Sequence, residues 1–177
     1  MATIEVFTTG ELSVGRVAEI RRLLDRAFVG GFTDEDWEHA LGGHHVLVIV
    51  GGDVVAHAAV VSRDIEVAGR HLHAGYVEAV ATDPAGQREG LGTQAMAEAT
   101  RVVMAGYDFG ALSTGVHLFY ERLGWERWDG PTYVRRGARP ERTADDDGAV
   151  MVLRFGPSEA IDLTAAISCE ARSGDVW

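Results

Sequence analysis

The sequence has one cysteine, no lysine and no long apolar run. Because Cys169 is the sole cysteine, an intrachain disulfide is excluded and a packed thiol is expected. Apolar runs stay well below the ~18 residues that span a bilayer. The amino end also lacks the basic and apolar pattern of a signal peptide. These absences predict a cytoplasmic protein that does not insert into a membrane.

Positive charge is scarce as well. The chain carries 16 Lys+Arg against 27 Asp+Glu, a formal net charge of -11. This balance argues against nucleic acid or an anionic membrane as the main partner and favours cationic ligands. A general role in solubility would explain the acidity equally well. With 177 residues and 46% hydrophobic content, the chain predicts one domain over 1–177.

Four histidines, His44, His45, His71 and His73, raise the question of a metal site. Their spacing gives neither an HxxxH helix nor a cysteine partner, both of which are common at zinc sites. We therefore predict solvated or hydrogen-bonded strand histidines and no metal.

The most informative stretch is 75–101. It begins with an extended run over 76–82, in which Tyr76, Glu78 and Val80 are predicted to share a face. A turn over 83–86 and a glycine-containing segment then lead into a helix. This order of strand, glycine turn and helix suits a phosphate group, because backbone N–H groups and the helix dipole converge on one anion.

On its own, the G-x-G pattern at Gly90 and Gly92 is weak, since it also occurs in simple tight turns. A dinucleotide-binding fingerprint is disfavoured, because Ala95 occupies its third glycine position.

The rest of the chain predicts alternating strands and helices. Predicted strands cover 3–7, 45–50, 54–62, 65–67, 71–81, 109–113, 125–128 and 149–155. Predicted helices follow Ser13 and Thr33 and cover 91–105 and 115–123. Strand, helix and strand with short connections predict that the two central strands run parallel.

Two segments resemble the GNAT superfamily of N-acetyltransferases. Residues 87–92, QREGLG, match its pyrophosphate-binding pattern Q/R-x-x-G-x-G/A, and residues 118–125, LFYERLGW, resemble its second motif. The resemblance implies an α/β (α+β) GNAT fold with flanking helices. Its central mixed, mostly antiparallel sheet would have a parallel strand pair splayed around acetyl-CoA.

Further stretches resemble the aminoglycoside 2'-N-acetyltransferases within that superfamily, and they span nearly the whole chain. They are GFTDEDWEH at 31–39, LGG at 41–43, GYVE at 75–78, GALS at 110–113, DDDG at 145–148 and GDVW at 174–177. The resemblance implies antibiotic resistance through acetyl transfer from acetyl-CoA to a 2'-amino group, by direct attack in a ternary complex, without a metal. It also implies a homodimer.

The resemblance assigns cofactor-binding and catalytic residues. Acetyl-CoA would contact Val80, Ala81, Thr82, Gln87, Arg88, Glu89, Gly90, Leu91, Gly92 and Thr93. Glu78 would be the general base, and Tyr120 would protonate the leaving thiolate. The alternatives are a strand salt bridge for Glu78 and a core aromatic for Tyr120.

A polycationic substrate needs carboxylates, and the resemblance supplies a set of them with polar neighbours. The substrate-binding residues would be Asp36, Glu78, Ala79, Ser113, Asp145, Asp146, Asp175 and Trp177 with its terminal carboxylate. The alternatives are a helix cap for Asp36, a solvated loop for 145–147 and a frayed tail for 175–177. Gly31 replaces an aspartate of some relatives, so one amine contact would be lost or pass to Asp34.

Two rival functions stay open on the sequence. One is a GNAT enzyme that acetylates another amine, such as a cell-wall amino sugar, a polyamine or a protein amino terminus. The other is a silent acyl-CoA-binding module, which would bind CoA without turnover.

Overall fold

The computed structural model describes residues 1–87, 89–137 and 139–177. The helices are α1 Val14–Ala27, α2 Asp34–His39, α3 Leu91–Gly106 and α4 His117–Glu121. The strands are β1 Thr3–Thr8, β2 His44–Val50, β3 Asp53–Val67, β4 Arg70–Thr82, β5 Phe109–Ser113, β6 Glu126–Arg127, β7 Thr132–Arg135, β8 Pro140–Arg142, β9 Val150–Leu153 and β10 Ile167–Glu170.

The chain divides into two compact units. The first comprises Met1–Val61 and Val77–Val102, and the second comprises Ser62–Tyr76 and Val103–Trp177. Strands β3 and β4 run from one unit into the other, so neither unit is a continuous stretch of chain. The single domain expected over 1–177 stays a prediction. No described helix has the length and apolar character to cross a membrane.

In the first unit, β1, β2 and β3 pair antiparallel, and α1 supplies the core. The Ser13 side chain accepts the Arg16 backbone N–H and so begins α1 as the sequence predicts. Ile20 and Leu24 are fully buried in a cluster with Leu47 of β2. Burying each such side chain stabilises the fold by about 1.5–3 kcal/mol.

The segment predicted as two strands, 54–62 and 65–67, is one strand. Exposed Ser62 and Asp64 alternate with buried Arg63 and Ile65, so the polar stretch is regular strand alternation and no break is needed. The turn into β4 uses Ala68 and Gly69, at φ 49° and 83°. Two consecutive positive φ angles are what a two-residue hairpin turn requires.

In the second unit, the strand order is β6-β9-β5-β4-β3-β10-β7-β8. Strands β4 and β5 are parallel over Ala74–Tyr76 and Phe109–Ala111, which confirms the predicted parallel pair. Strand β9 pairs antiparallel with β5. The predicted α+β class with a mixed sheet is confirmed.

Three strands of the second unit have no counterpart in the sequence prediction. Strands β7 and β8 form a short antiparallel pair, and β10 pairs parallel with β7 and antiparallel with β3. Each has only three or four residues. These strands are held by partners far along the chain, so their own short patterns gave no signal. The helix predicted over 115–123 is shorter, His117–Glu121.

Candidate functional site

The candidate catalytic strand is the last part of β4, in the first unit. Ala79 has φ 50°, a left-handed conformation that is costly for a residue with a side chain. Glu78, Ala79 and Val80 are all partly exposed, whereas Val77 and Ala81 are buried. The predicted regular alternation through Glu78 and Val80 is therefore wrong, because Ala79 interrupts the pleat between them.

The loop after β4 is held in place by Asp83. Its carboxylate accepts the Ala85 backbone N–H at 3.0 Å and forms an ion pair with Arg26 of α1 at 2.6 Å. Hydrogen bonds from the Ala85 backbone and Arg26 lower the pKa of Asp83. A 3-10 turn over Pro84–Gly86 follows.

The start of α3 fits a phosphate group. Gly90 has φ 79°, and a Cβ built on it would meet nothing within 4 Å. The helix begins at Leu91, so the first-turn N–H groups, including those of Gly92 and Thr93, have no acceptor one turn back in the helix. A helix start of this kind attracts anions. The predicted contact at Arg88 lies outside the described residues.

An open cleft of about 520 Å³ adjoins this helix start within the first unit. Its walls include Arg22 and Arg26 of α1, Val54 of β3 and the loop residues Asp83 and Gly86. The arginines place positive charge close to the backbone of the loop. This part of the first unit can therefore accept a phosphorylated group such as the pyrophosphate of CoA.

Tyr120 is the buried aromatic of α4, in the second unit. Its side chain is 7% exposed, and burial raises the pKa of its hydroxyl to about 12, opposed by a hydrogen bond with Thr114. Thr114 follows the exposed Ser113 at the end of β5, and its hydroxyl accepts the Val116 backbone N–H at 3.0 Å. Tyr120 therefore stays protonated near neutral pH, as a proton donor must.

The three consecutive aspartates of the second unit differ in role. Asp147 bonds both Arg142 and Thr132, and the Arg142 hydrogen bond is the main cause of its lowered pKa. Asp146 is half-buried, and burial, with smaller contributions from Asp175 and its two neighbours, raises its pKa. Asp145 is exposed. Asp147 thus holds the loop, while Asp146 and Asp175 lie close enough to interact.

The segment 175–177 is ordered by contacts within the second unit. The Trp177 indole donates to Thr143 Oγ1 at 3.1 Å, and Trp177 is 5% exposed. Buried Arg63 donates to the Val176 carbonyl at 2.7 Å, and Arg172 donates to the Asp175 carbonyl at 2.7 Å. The alternative of a frayed tail is therefore wrong, and the exposed Asp175 carboxylate extends from a fixed backbone.

Asp36 caps helix α2, as its position predicts. One carboxylate oxygen accepts the Thr33 N–H at 2.7 Å and the Thr33 hydroxyl at 2.8 Å. Asp34 pairs with Arg21 at 2.7 Å. Asp36 therefore has a structural role in this protein, and Asp34, the proposed replacement for an aspartate at Gly31, is already paired with a cation.

Residues that sequence reasoning missed support these groups. Thr143 accepts the Trp177 indole and bonds Asp146, Thr114 bonds Tyr120, and Arg63 holds the backbone of Val176. The only sequence signal was their place beside a motif residue, which Arg63 lacks.

The histidines bear out the prediction of hydrogen-bonded strand residues. His71 lies 3.0 Å from Asp64, and His73 lies 2.8 Å from Ser62. His45 Nδ1 lies 3.1 Å from His57 Nε2, and both rings are fully buried. Among the described residues, no group of three or more His, Cys, Asp or Glu side chains could hold a metal ion.

We expect the stability of the protein to fall as the pH drops from 6.5 to 5. Burial lowers the pKa of His45 to about 4 and that of His57 to about 3. In this range the unfolded chain binds protons that the folded chain does not, so stability is lost as pH falls. The loss should be roughly 3 kcal/mol for the pair, at about 1.4 kcal/mol per pH unit and group. Urea unfolding at several pH values measures it, and His45→Asn should flatten the slope.

Comparison with known proteins identifies the family. A family model described as "Acetyltransferase (GNAT) domain" matches residues 11–128. The chain belongs to the GNAT acetyltransferase family. Within this family, an aminoglycoside 2'-N-acetyltransferase from Mycolicibacterium fortuitum is 40% identical over 99% of this chain and 92% of that protein. The resemblance seen in the sequence motifs is confirmed.

Solved GNAT structures show the same fold. A GNAT family N-acetyltransferase from Escherichia coli in complex with CoA is 19% identical, with a TM-score of 0.64 over 95% of this chain and 89% of that one. A GNAT family acetyltransferase from Brucella melitensis in complex with acetyl-CoA is 18% identical, with a TM-score of 0.61 over 93% and 94% of the two chains. Each of these identities is low, so the likeness concerns the fold alone.

Proposed function

We propose that this GNAT protein transfers an acetyl group from acetyl-CoA to the 2'-amino group of aminoglycosides, by direct attack in a ternary complex, and so confers antibiotic resistance. The observation that carries the proposal is the 40% identity over 99% of the chain to a protein of that activity. The helix start at Gly90, the protonated Tyr120 and the acidic Asp146 and Asp175 give the proposal its chemistry.

The first unit supplies the proposed cofactor-binding residues. The first-turn N–H groups of α3 would hold the pyrophosphate, with the loop residues Gln87, Glu89 and Gly90 beside it. The backbone of Val80, Ala81 and Thr82 would bind the pantetheine arm. Acetyl-CoA, when bound, supplies the acetyl group as an activated thioester. The Val80 N–H would polarise the thioester carbonyl as a fixed dipole.

Glu78 and Tyr120 carry the proposed proton transfers. An amine attacks only with a free lone pair, so Glu78 would remove a proton from the substrate ammonium through a water molecule. Tyr120 would donate its hydroxyl proton to the leaving thiolate. Such groups each contribute roughly 10²- to 10⁴-fold in rate.

A cationic substrate would bind the carboxylates of Asp146 and Asp175. Their mutual repulsion contributes to the raised pKa of Asp146, and a cation placed near both would relieve it. Ser113 and the Ala79 backbone would add polar contacts, and Asp145 and Trp177 would complete the substrate set. A homodimer and a cytoplasmic location stay predictions.

Thiol release from acetyl-CoA tests the proposed function. Gentamicin and tobramycin have a 2'-amine, whereas kanamycin A has a 2'-hydroxyl and serves as the matched control. Rapid release with the first two and little with the third is the expected result. Tight CoA binding with no release with any of them would overturn the proposal.

We expect Asp146→Asn and Asp175→Asn each to raise the KM for tobramycin about tenfold, equivalent to about 1.4 kcal/mol. Each variant removes one negative charge that would face a substrate ammonium. The KM for acetyl-CoA should stay constant. The control is Glu159→Gln, which removes an exposed carboxylate of the same unit. An unchanged tobramycin KM in both aspartate variants would contradict the proposed substrate contacts.

A further inference from the structure

The buried pair of histidines in the first unit has no role in the proposed chemistry. His45 of β2 and His57 of β3 are both 0% exposed, which is unusual for ionisable side chains. His57 Nδ1 lies 2.8 Å from the carbonyl oxygen of Ala79, and His45 Nε2 lies 2.9 Å from the Thr9 hydroxyl. The pair therefore links the surface-side Thr9 to the strained position of β4.

The acceptors fix the direction of every hydrogen bond in this chain. A carbonyl oxygen can only accept, so His57 Nδ1–H donates to Ala79. His57 Nε2 of the neutral ring must then accept, and the donor is His45 Nδ1–H. His45 Nε2 accepts in turn from the Thr9 hydroxyl, which itself accepts the Gly42 N–H at 2.9 Å. Both neutral rings are therefore held in the Nδ1–H tautomer.

The chain ends at the one residue of β4 that needs such support. Ala79 has φ 50°, and alanine does not favour this conformation without outside contacts. Its two neighbours are Glu78 and Val80, the proposed base and the proposed donor to the thioester carbonyl. A change of the Ala79 backbone would redirect both of them.

We infer that His57, oriented by His45 and Thr9, is a positioning residue that holds the Ala79 backbone in its left-handed conformation. In doing so it sets the directions of the Glu78 side chain and the Val80 N–H. This inference rests on the proposed function for its effect on catalysis. The conformational part does not depend on any substrate.

A double-mutant cycle tests this role. His57→Leu removes the donor, whereas His57→Asn keeps an N–H near the position of Nδ1 in a side chain of similar size to leucine. We expect His57→Leu to lower kcat for tobramycin acetylation by about 10²-fold, as misplacement of a reacting group typically does. His57→Asn should recover most of that loss, and the KM for acetyl-CoA should change less than kcat.

The Ala79→Gly background separates positioning from simple packing. Glycine adopts a positive φ without help, so the kcat loss and the drop in melting temperature from His57→Leu should both shrink in the Ala79→Gly protein. Each is measured relative to Ala79→Gly alone. A cavity effect would instead be equally large in both backgrounds, and that result would overturn the inference.

Nitrogen NMR of the histidine rings tests the same chain without any substrate. Signals of two neutral Nδ1–H rings at pH 7 are expected, and His57→Asn should remove one of them and shift the other. An Nε2–H tautomer at either ring would overturn the inference. If these signals and the melting-temperature cycle come out as expected while the unsubstituted protein acetylates no aminoglycoside, the proposed function fails and the conformational role of His57 stands.

Discussion

Replacing Glu78 by glutamine should lower kcat for aminoglycoside acetylation by roughly 10²- to 10⁴-fold, the usual contribution of a general base. The amide keeps the size of the side chain but cannot take a proton from the substrate ammonium. The KM for acetyl-CoA should hold nearly constant, because the proposed cofactor contacts of β4 come from the backbone. Steady-state kinetics with tobramycin measures both quantities.

The control for Glu78→Gln is Glu5→Gln. Glu5 is also a half-buried carboxylate on a strand, β1, and has no proposed role in catalysis. Its substitution should leave kcat within about twofold of the unsubstituted protein, since changes away from special features are usually small. If Glu78→Gln kept full activity, the carboxylate would have the structural role of a strand salt bridge. Another group would then have to accept the proton.

Replacing Tyr120 by phenylalanine should also cost roughly 10²- to 10⁴-fold in kcat, because the leaving thiolate would lose its proton donor. The ring fills the same buried space, so the fold should keep most of its stability. Since burial raises the pKa of Tyr120 to about 12, its proton is present throughout pH 6–9. The loss should therefore be of similar size across that range.

Two further variants separate proton donation by Tyr120 from packing. Tyr107→Phe removes the hydroxyl of another half-buried tyrosine in the second unit and should leave kcat nearly unchanged. Thr114→Val removes the hydrogen-bond partner of Tyr120 but keeps the phenol, so its loss should be smaller than that of Tyr120→Phe. Equal kcat in Tyr120→Phe and the unsubstituted protein would exclude the acid role.

Local patterns predicted the parts of the fold that depend on neighbouring residues. Ser13 and Thr33 cap their helices as expected, and the order of strand, glycine turn and helix around Gly90 appears where the motif places it. Strand β10 was missed because its partners, β3 and β7, lie far along the chain. A short strand held by such partners carries almost no signal of its own.

The candidate site shows the same limit. Three consecutive aspartates look alike in a sequence, yet the fold gives Asp147 to Arg142 and leaves Asp146 beside Asp175. Likewise, alanine gives no warning of a positive φ. At Ala79 that angle accompanies a hydrogen bond from His57, 22 residues earlier in the chain.

The position of the acetyl group on the product tests the central claim most directly. Tobramycin treated with the protein and acetyl-CoA would be purified and analysed by two-dimensional NMR, which distinguishes its several amines. The account predicts a single acetyl group, on the 2'-nitrogen. Acetylation at any other nitrogen, or an unmodified drug after complete incubation, would contradict it.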